Sequence, residues 1–376
     1  MTVDIEVIAD PARFSSLATD WDRLVTENPD LAEGLDATTG YPWFCALIQT
    51  FEPGRTARVV VLRDGGRVVG LLPLVATGSG LCMRLAVASE LYGGRNGLML
   101  VRDDPALLRA LLHGARMAFG PWQSLKLMVV EGSRTARLLN AAGPALSLRL
   151  ATSAGWESPY FALGSTQHEF MAGVSKGLRQ TIRTSINKFN ALGEVRYEDI
   201  GPEQSPSALL QAILEIERHS WKQAAGSAIS CHPAQARFYR NFFESALGSG
   251  LVCGIVMYLN NTPVAYNLGV LRAGYYSCLK HSNLQAHQNL SPNQVLNLVL
   301  IERLRARGVS MYDYMGAVEP HKMRWSSATR TYLRTPTWIF SDSPCGTLGH
   351  AVSRLKKWGR HQIGSRPPEL PTDPAG

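Results

Sequence analysis

Residues 251–259 read LVCGIVMYL and residues 264–271 read VAYNLGVL, and Asn260-Asn261 stands between these two apolar runs. Asn tolerates the positive φ that a two-residue hairpin needs at its central positions, so the stretch predicts two antiparallel strands joined by a tight turn. Working outward, Tyr275 to His281 adds a third strand, Ser291 to Arg307 a helix, and Val309 to Met315 a closing strand. The first half has the same order. There Ala57–Asp64 and Arg67–Val75 flank Gly65-Gly66, and an apolar strand at Leu98–Val101, a helix at Pro105–Arg116 and a strand at Ser124–Val130 follow. A short alternating strand at Val3–Ile8 and amphipathic helices near Pro11–Glu27 and after Gly40-Tyr41-Pro42 precede them. The pattern predicts an α/β protein built from two copies of one mixed-sheet unit, 1–150 and 155–345, divided near Ala151–Pro159. A basic, partly disordered tail is expected at 346–376.

Length and composition agree with two packed domains. The chain has 376 residues, more than one ordinary core holds, and 45% hydrophobic against 18% charged residues exclude a largely disordered chain. The net charge is +8, and the last 26 residues contribute five basic against two acidic side chains. That surplus suits an anionic ligand, a nucleic acid or a membrane surface alike. The six cysteines (Cys45, Cys82, Cys231, Cys253, Cys278, Cys345) include no C-x-x-C pair and no zinc spacing, so reduced thiols and no metal are expected. No basic, apolar leader opens the chain and no apolar run approaches ~18 residues, which predicts a cytoplasmic protein without stable membrane insertion. Neither a P-loop, nor a dinucleotide G-x-G-x-x-G after a strand, nor G-x-S-x-G, nor H-E-x-x-H occurs. NTPase, dehydrogenase, α/β-hydrolase and zincin chemistries are thereby disfavoured.

Candidate site residues come from the second half. On a helix over Val174–Leu192, Lys176, Arg179 and Arg183 share a face at spacings of three and four and can hold one anion jointly, or form a solvated basic face. A second helix, Leu209 to about Lys222, sets Glu217 at the edge of its apolar face, where a carboxylate must be ion-paired or put to use as a base or substrate anchor. Ser291-Pro292-Asn293-Gln294 reads as an N-cap with a capping box, and the helix start it opens can receive an anion. Asp313 ends a strand before Gly316, and His321, Lys322, Arg324 and Trp325 crowd the next stretch. Lys322 can neutralise a phosphate or an oxyanion, and His281 and His321 can shuttle protons or serve as ordinary polar contacts.

Taken together these residues resemble a known family: the GNAT-type acyltransferases associated with cellulose and exopolysaccharide biosynthesis, the CelD/BcsL-like group. The resemblance is carried by Leu178-Arg179 with Ile182-Arg183, Glu217 with Ser220-Trp221-Lys222, Arg237-Phe238-Tyr239, Tyr276 through Lys280, Ser291-Pro292, Tyr312-Asp313 with Gly316, and Lys322 with Arg324-Trp325. It spans about residues 155–335. The family usually has Gly where Asn293 stands and Tyr where His321 stands. The resemblance implies tandem GNAT folds similar to those of Fem-type aminoacyl transferases, and transfer of an acyl group to an amine or hydroxyl. It implies acyl-CoA as co-substrate, no permanently bound cofactor, and a sugar, polysaccharide precursor or small amine as acceptor. Glu217, Asp313 and Lys322 are then the catalytic candidates. Donor or substrate contacts would come from Lys176, Arg179 and Arg183, from Trp221, Lys222, Tyr276 and Lys280, and from His281, Ser291, Asn293, Gly316 and His321. The alternatives are an aminoacyl-tRNA-dependent ligase of the Fem type and a non-catalytic GNAT shell that binds within a polysaccharide-export system.

Overall fold

The computed structural model describes residues 3–27, 37–51, 57–80, 83–88, 97–325 and 330–362. The chain divides into two compact units, the first of residues 1–156 with 333–369 and the second of residues 157–332.

The first unit contains β1 (Asp4–Ile8), α1 (Ala18–Glu27), α2 (Tyr41–Phe51), β2 (Arg58–Asp64), β3 (Arg67–Thr77), β4 (Arg84–Val87), β5 (Met99–Leu100), α3 (Pro105–Phe119), β6 (Ser124–Val130), α4 (Arg134–Ala145) and β7 (Arg149–Thr152). Its sheet runs β1-β2-β3-β4-β6, antiparallel except for the parallel pair β4/β6. Two apolar clusters cover the sheet, one around Leu107, Leu108 and Leu111 of α3 and the other around Trp21 and Leu24 of α1 and Phe44 of α2. The second unit contains β8 (Trp156–Ala162), α5 (Gln167–Gly173), α6 (Lys176–Leu192), β9 (Val195–Ile200), α7 (Pro206–Arg218), α8 (Trp221–Ala224), α9 (Pro233–Ala246), β10 (Val252–Leu259), β11 (Thr262–Arg272), β12 (Tyr275–Asn283), α10 (Pro292–Ala306) and β13 (Met311–Asp313). Its sheet runs β9-β10-β11-β12-β13-β8, again with one parallel pair, β12/β13. From β1 in the first unit and from β9 in the second, the order strand, helices, hairpin, strand, helix, parallel strand recurs, as the repeated sequence pattern predicts, and the second unit prefixes it with β8, α5 and α6.

Both hairpin turns follow the local chemistry. Gly65 and Gly66 have φ of 57° and 82°, and Asn260 and Asn261 of 48° and 64°, the two positive values that a type I′ turn requires. In α6 the apolar Leu178, Ile182 and Phe189 are buried, while Ser175 caps the start by accepting from the Leu178 N–H at 3.2 Å.

Three boundaries differ from the sequence expectation. After Tyr332 the chain returns to the first unit, where Arg334–Phe340 of β14 (Arg330–Phe340) pairs antiparallel with β6 and its last residues with β7. The second unit thus ends near 332 rather than 345, because those residues complete the first unit's sheet. The start of the expected tail is ordered as α11 (Pro344–Gln362), and residues from 363 onward lie outside the described residues. Finally, the helix expected over Leu209–Lys222 is two: α7 ends at Arg218, and Ser220, in extended conformation, caps α8 by accepting from the Lys222 N–H. No described helix is long and apolar enough to cross a membrane.

Candidate active site

The site is organised by β12. It pairs with β13 only at Tyr275–Ser277, opposite Met311–Asp313, and then continues to Asn283 beyond the end of β13. The two parallel strands therefore part at Ser277 and Asp313. On its other edge β12 pairs with β11, and the register slips: Gly269 faces Cys278 but Leu268 faces Lys280, which leaves Leu279 as a one-residue bulge. Successive strand residues point to opposite faces, so the bulge sets Cys278 with Asn267 and His281 on one face and Lys280 with Tyr266 on the other. A strand without this insertion would have put Lys280 on the same face as Cys278.

On the Tyr266 face, α7 delivers Glu217, which has 0% exposure. Its Oε1 accepts from Tyr266 Oη at 2.5 Å and Lys222 Nζ at 3.2 Å, with Lys280 Nζ at 3.8 Å, and its Oε2 accepts from the Ile229 N–H at 2.6 Å. The break at Ser220 makes this possible. Five residues apart on an unbroken helix, Glu217 and Lys222 would point about 140° from each other. Burial pushes the Glu217 carboxyl up, but the charges of Lys222 and Lys280, the Ile229 N–H and the Tyr266 hydroxyl outweigh it and hold it below the usual carboxylate range. Burial and the adjacent carboxylate raise the Tyr266 hydroxyl well above its ordinary value, so it stays a donor.

The opposite face holds a buried polar network inside an apolar core. Asn267 donates to Asn297 Oδ1 and to Tyr312 Oη, both at 2.8 Å, and accepts from Tyr276 Oη at 2.7 Å. Cys278 Sγ lies 3.5 Å from Asn267 Oδ1 and 3.9 Å from His281 Nδ1, and burial pushes its thiol up to about 11. The His281 ring meets the His321 ring edge to face at 5.8 Å. His321 Nδ1 is 3.1 Å from Glu319 Oε2, and its Nε2 is enclosed without a hydrogen-bond partner. Lys322 Nζ donates to Ala317 O at 3.0 Å and to Glu319 Oε1 at 3.1 Å. Glu319 thus bridges the two side chains. At the parting point Asp313 accepts from the Met315 N–H at 2.7 Å, from Tyr275 Oη at 3.1 Å and, at 2.8 and 3.0 Å, from Tyr332 Oη. Ser158 Oγ donates to Gly316 O at 2.9 Å and steadies the turn that follows.

The helix start expected to bind an anion follows β12 directly, but its capping box is not made. Ser291 is in the left-handed region (φ 50°, ψ 51°) and its side chain caps no N–H, while Gln294 is buried with its Oε1 unpartnered. An N-cap ordinarily has extended backbone, and the left-handed one here does not present the geometry in which a serine caps. Asn293 donates instead to Asn283 Oδ1 at 2.9 Å and ties the helix start to the end of β12. Lys176, Arg179 and Arg183 are exposed on α6, where Arg179 Nη1 reaches Met171 O at 2.8 Å, and Arg324 Nη2 touches Thr181 Oγ1 at 3.4 Å. Trp221 is 43% exposed, whereas its neighbour Lys222 is buried.

Glu217, Asp313 and Lys322 therefore hold separate partner sets around β12 rather than touching one another. Lys222 and Lys280 join Glu217, His321 joins Lys322 through Glu319, and His281 meets the His321 ring. Sequence reasoning missed Tyr266, Asn267, Asn297, Glu319 and Tyr332. The lone Asn in the apolar run VAYNLGVL is the signal that could have found Asn267, since a polar side chain there needs partners.

Burial and the charges of Lys222, His321, Lys322 and Lys280 push the His281 pKa well below its ordinary value, and burial lowers His321 as well. A histidine that refuses a proton when folded binds one when unfolded. Stability is then full above the unfolded pKa of about 6.5 and is lost below it, by at most about 1.4 kcal/mol per pH unit for each such group. Urea melts at pH 7.5, 6.5 and 5.5 are expected to show this slope in the wild type and a shallower one in His281→Gln.

The acetyltransferase (GNAT) domain family matches residues 176–323. No curated protein matches the chain in sequence. Among solved structures it is similar to FemX, with 11% identity over 93% of this chain and 100% of that one and a TM-score of 0.64. It is also similar to a tandem GNAT protein from the clavulanic acid biosynthesis pathway (14% identity, 91% and 100% covered, TM-score 0.51) and to L-PGS from Bacillus licheniformis (11%, 92% and 96%, 0.50). At such identities the likeness is one of fold. The second unit carries a GNAT acetyltransferase domain, and the chain has the tandem GNAT fold.

Proposed function

We propose that the protein transfers an acyl group from acyl-CoA to an amine or hydroxyl of a sugar, a polysaccharide precursor or a small amine, in exopolysaccharide synthesis as in the CelD/BcsL-like group. The observation that carries this reading is the parting of β12 from β13 at Ser277 and Asp313, followed by a helix whose start Ser291 leaves uncapped. The gap admits an extended thioester donor between two strands. At the start of α10 Pro292 has no N–H and the Gln294 N–H donates to Ser291 O at 3.0 Å, which leaves the Asn293 N–H and the helix dipole to face the donor's pyrophosphate. Proximity then supplies a large share of the rate.

His321 is the base in this reading. With its Nδ1–H directed at Glu319, the lone pair of Nε2 takes the proton of the acceptor amine or hydroxyl as the nucleophile attacks the thioester carbonyl. Backbone N–H groups of β12 beyond Ser277 and the remaining N–H of Lys322 stabilise the tetrahedral oxyanion. Its collapse breaks the C–S bond, and the imidazolium returns a proton to the departing thiolate. Glu217 and Asp313 are positioning residues: each already accepts from several donors, and the depressed Glu217 carboxyl is a weak proton acceptor at neutral pH.

Thermal-shift and native mass spectrometry against CoA, acetyl-CoA and charged tRNA test the donor. Ligand at about 100 times its dissociation constant adds about 2.7 kcal/mol to the stability of the binding state. Stabilisation by charged tRNA and not by CoA species would move the protein to the Fem-type ligase reading, and no stabilisation by either would favour the non-catalytic shell. In the same screen Arg179→Ala and Arg183→Ala are expected to weaken donor binding by ~1.5–3 kcal/mol, the range of a charge-assisted contact. Both side chains are exposed, so the melting temperature without ligand should stay put. Unchanged donor affinity in both variants removes α6 from the anion site.

A further inference from the structure

The first unit holds a cavity of about 650 Å³, and none of the residues that line it belongs to the acyl-transfer site. Strands β6, β7 and β14 and helices α4 and α11 all contribute to its wall. Polar side chains reach its lining from four directions in the chain: Glu131 just after β6, Asn140 on α4, Thr152 at the end of β7, and His350, Ser353 and Arg354 on α11. The last two stand three and four residues beyond His350, so the three share one face of the helix. None of these side chains makes a hydrogen bond or an ion pair with another described residue. Glu131 is held by its backbone instead: its N–H donates to Leu333 O at 2.9 Å, and the turn it begins continues through Gly132 at a φ of 75°. Val129, Leu139 and Leu150 supply an apolar part of the wall.

We propose that this cavity binds a small zwitterion, a short peptide or a free amino acid, with its ammonium group on Glu131 and its carboxylate on Arg354. Charge decides the class. A carboxylate and a guanidinium line one cavity without pairing with each other or with the rest of the described protein, so a ligand of a single sign would leave one of them unanswered. The volume lies in the range of small-molecule pockets, roughly 300–1,000 Å³. Asn140, Thr152 and Ser353 can donate to and accept from a peptide group, and the apolar wall suits aliphatic side chains. The proposal does not depend on the acyl-transfer reading.

Isothermal titration of the full chain with leucine, Leu-Leu, N-acetyl-Leu-Leu and Leu-Leu amide is the test. At least one of leucine and Leu-Leu is expected to bind at one site per chain, and the tighter of the two identifies the source as amino acid or peptide. Blocking either end of Leu-Leu is expected to weaken it by at least about 10-fold, the size of one charge-assisted contact. The variants tie each end to its side chain. Glu131→Gln is expected to lose at least about 10-fold for Leu-Leu and nothing for N-acetyl-Leu-Leu, whose amine is already blocked. Arg354→Gln is expected to show the same pattern with Leu-Leu and its amide. Both side chains are exposed and unpaired, so the melts should stay put, and since each variant reports on its own end, misfolding of one leaves the other decisive. No binding of leucine or Leu-Leu, equal binding of the blocked peptides, or wild-type affinity in both folded variants overturns the proposal.

Discussion

His321→Gln is expected to slow the acyl-transfer step by about 10²- to 10⁴-fold in single-turnover assays, with donor affinity unchanged. The amide fills much of the imidazole's space and keeps a donor toward Glu319, but it has no basic nitrogen where Nε2 lies enclosed beside His281. The pH profile separates this role from a structural one. Burial lowers the His321 pKa against the opposing pull of Glu319, and Lys322 lowers it further, so the neutral base persists through pH 7. The wild-type rate should therefore fall only as the pH drops below the ordinary histidine value of about 6.5. Glu319→Gln is expected to lose less activity and to keep an acid limb, because the base remains while its orientation and charge partner weaken. Asp313→Asn should act mainly through the melt. A His321→Gln enzyme that turns over at the wild-type rate rejects the base assignment, and a full loss in Asp313→Asn with an intact melt transfers the role to that carboxylate.

Glu217→Ala is expected to cost about 3–5 kcal/mol, because removing one partner of a buried ion cluster strands the rest. Lys222 and Lys280 would be left as like charges at 2% and 3% exposure, and Tyr266 and the Ile229 N–H would lose their acceptor. For a unit of this size the loss corresponds to a fall of about 10 °C in melting temperature. The pH dependence gives an independent sign. The folded carboxyl is held below its unfolded value of about 4.3, so its stabilisation is present above that pH and is lost as the pH falls through the folded pKa. The variant should be less stable at pH 7 and nearly level with the wild type in strong acid. A melt within about 1 kcal/mol of wild type at pH 7 would show that water or rearranged side chains satisfy the lysines, and that the cluster does not hold α7 against β11.

Local chemistry made the repeated unit legible before any coordinates. Asn260-Asn261 and Gly65-Gly66 permit the positive φ of a type I′ turn, apolar runs of strand length surround them, and the helices show their own periodicity. The same locality explains why Glu217 stood out, since a carboxylate on the apolar edge of a helix needs a partner wherever the helix packs. Locality also explains the misreadings. Ser291-Pro292-Asn293-Gln294 has the composition of a capping box, yet the approach from Leu290 puts Ser291 in the left-handed region, a property of the preceding turn and of Asn293 held by Asn283. The expected end of the second unit at 345 followed chain order, and only the pairing of Arg334–Phe340 with β6 and β7 assigns those residues to the first unit.

Side-chain alternation, apolar periodicity and turn residues thus determined two copies of a mixed α/β unit and the candidate side chains in the second, because each is set within a few residues of chain. Which of those side chains meet was decided by tertiary structure alone. A one-residue bulge at Leu279 chooses the face of Lys280, a helix break at Ser220 turns Lys222 toward Glu217, and Glu319 gathers His321 and Lys322 at the parting of β12 and β13. The bulge is a matter of register between two strands and the other two are non-helical turns within five residues, none of which a periodic pattern records, and a slip of one residue in any of them would put a different set of charges together.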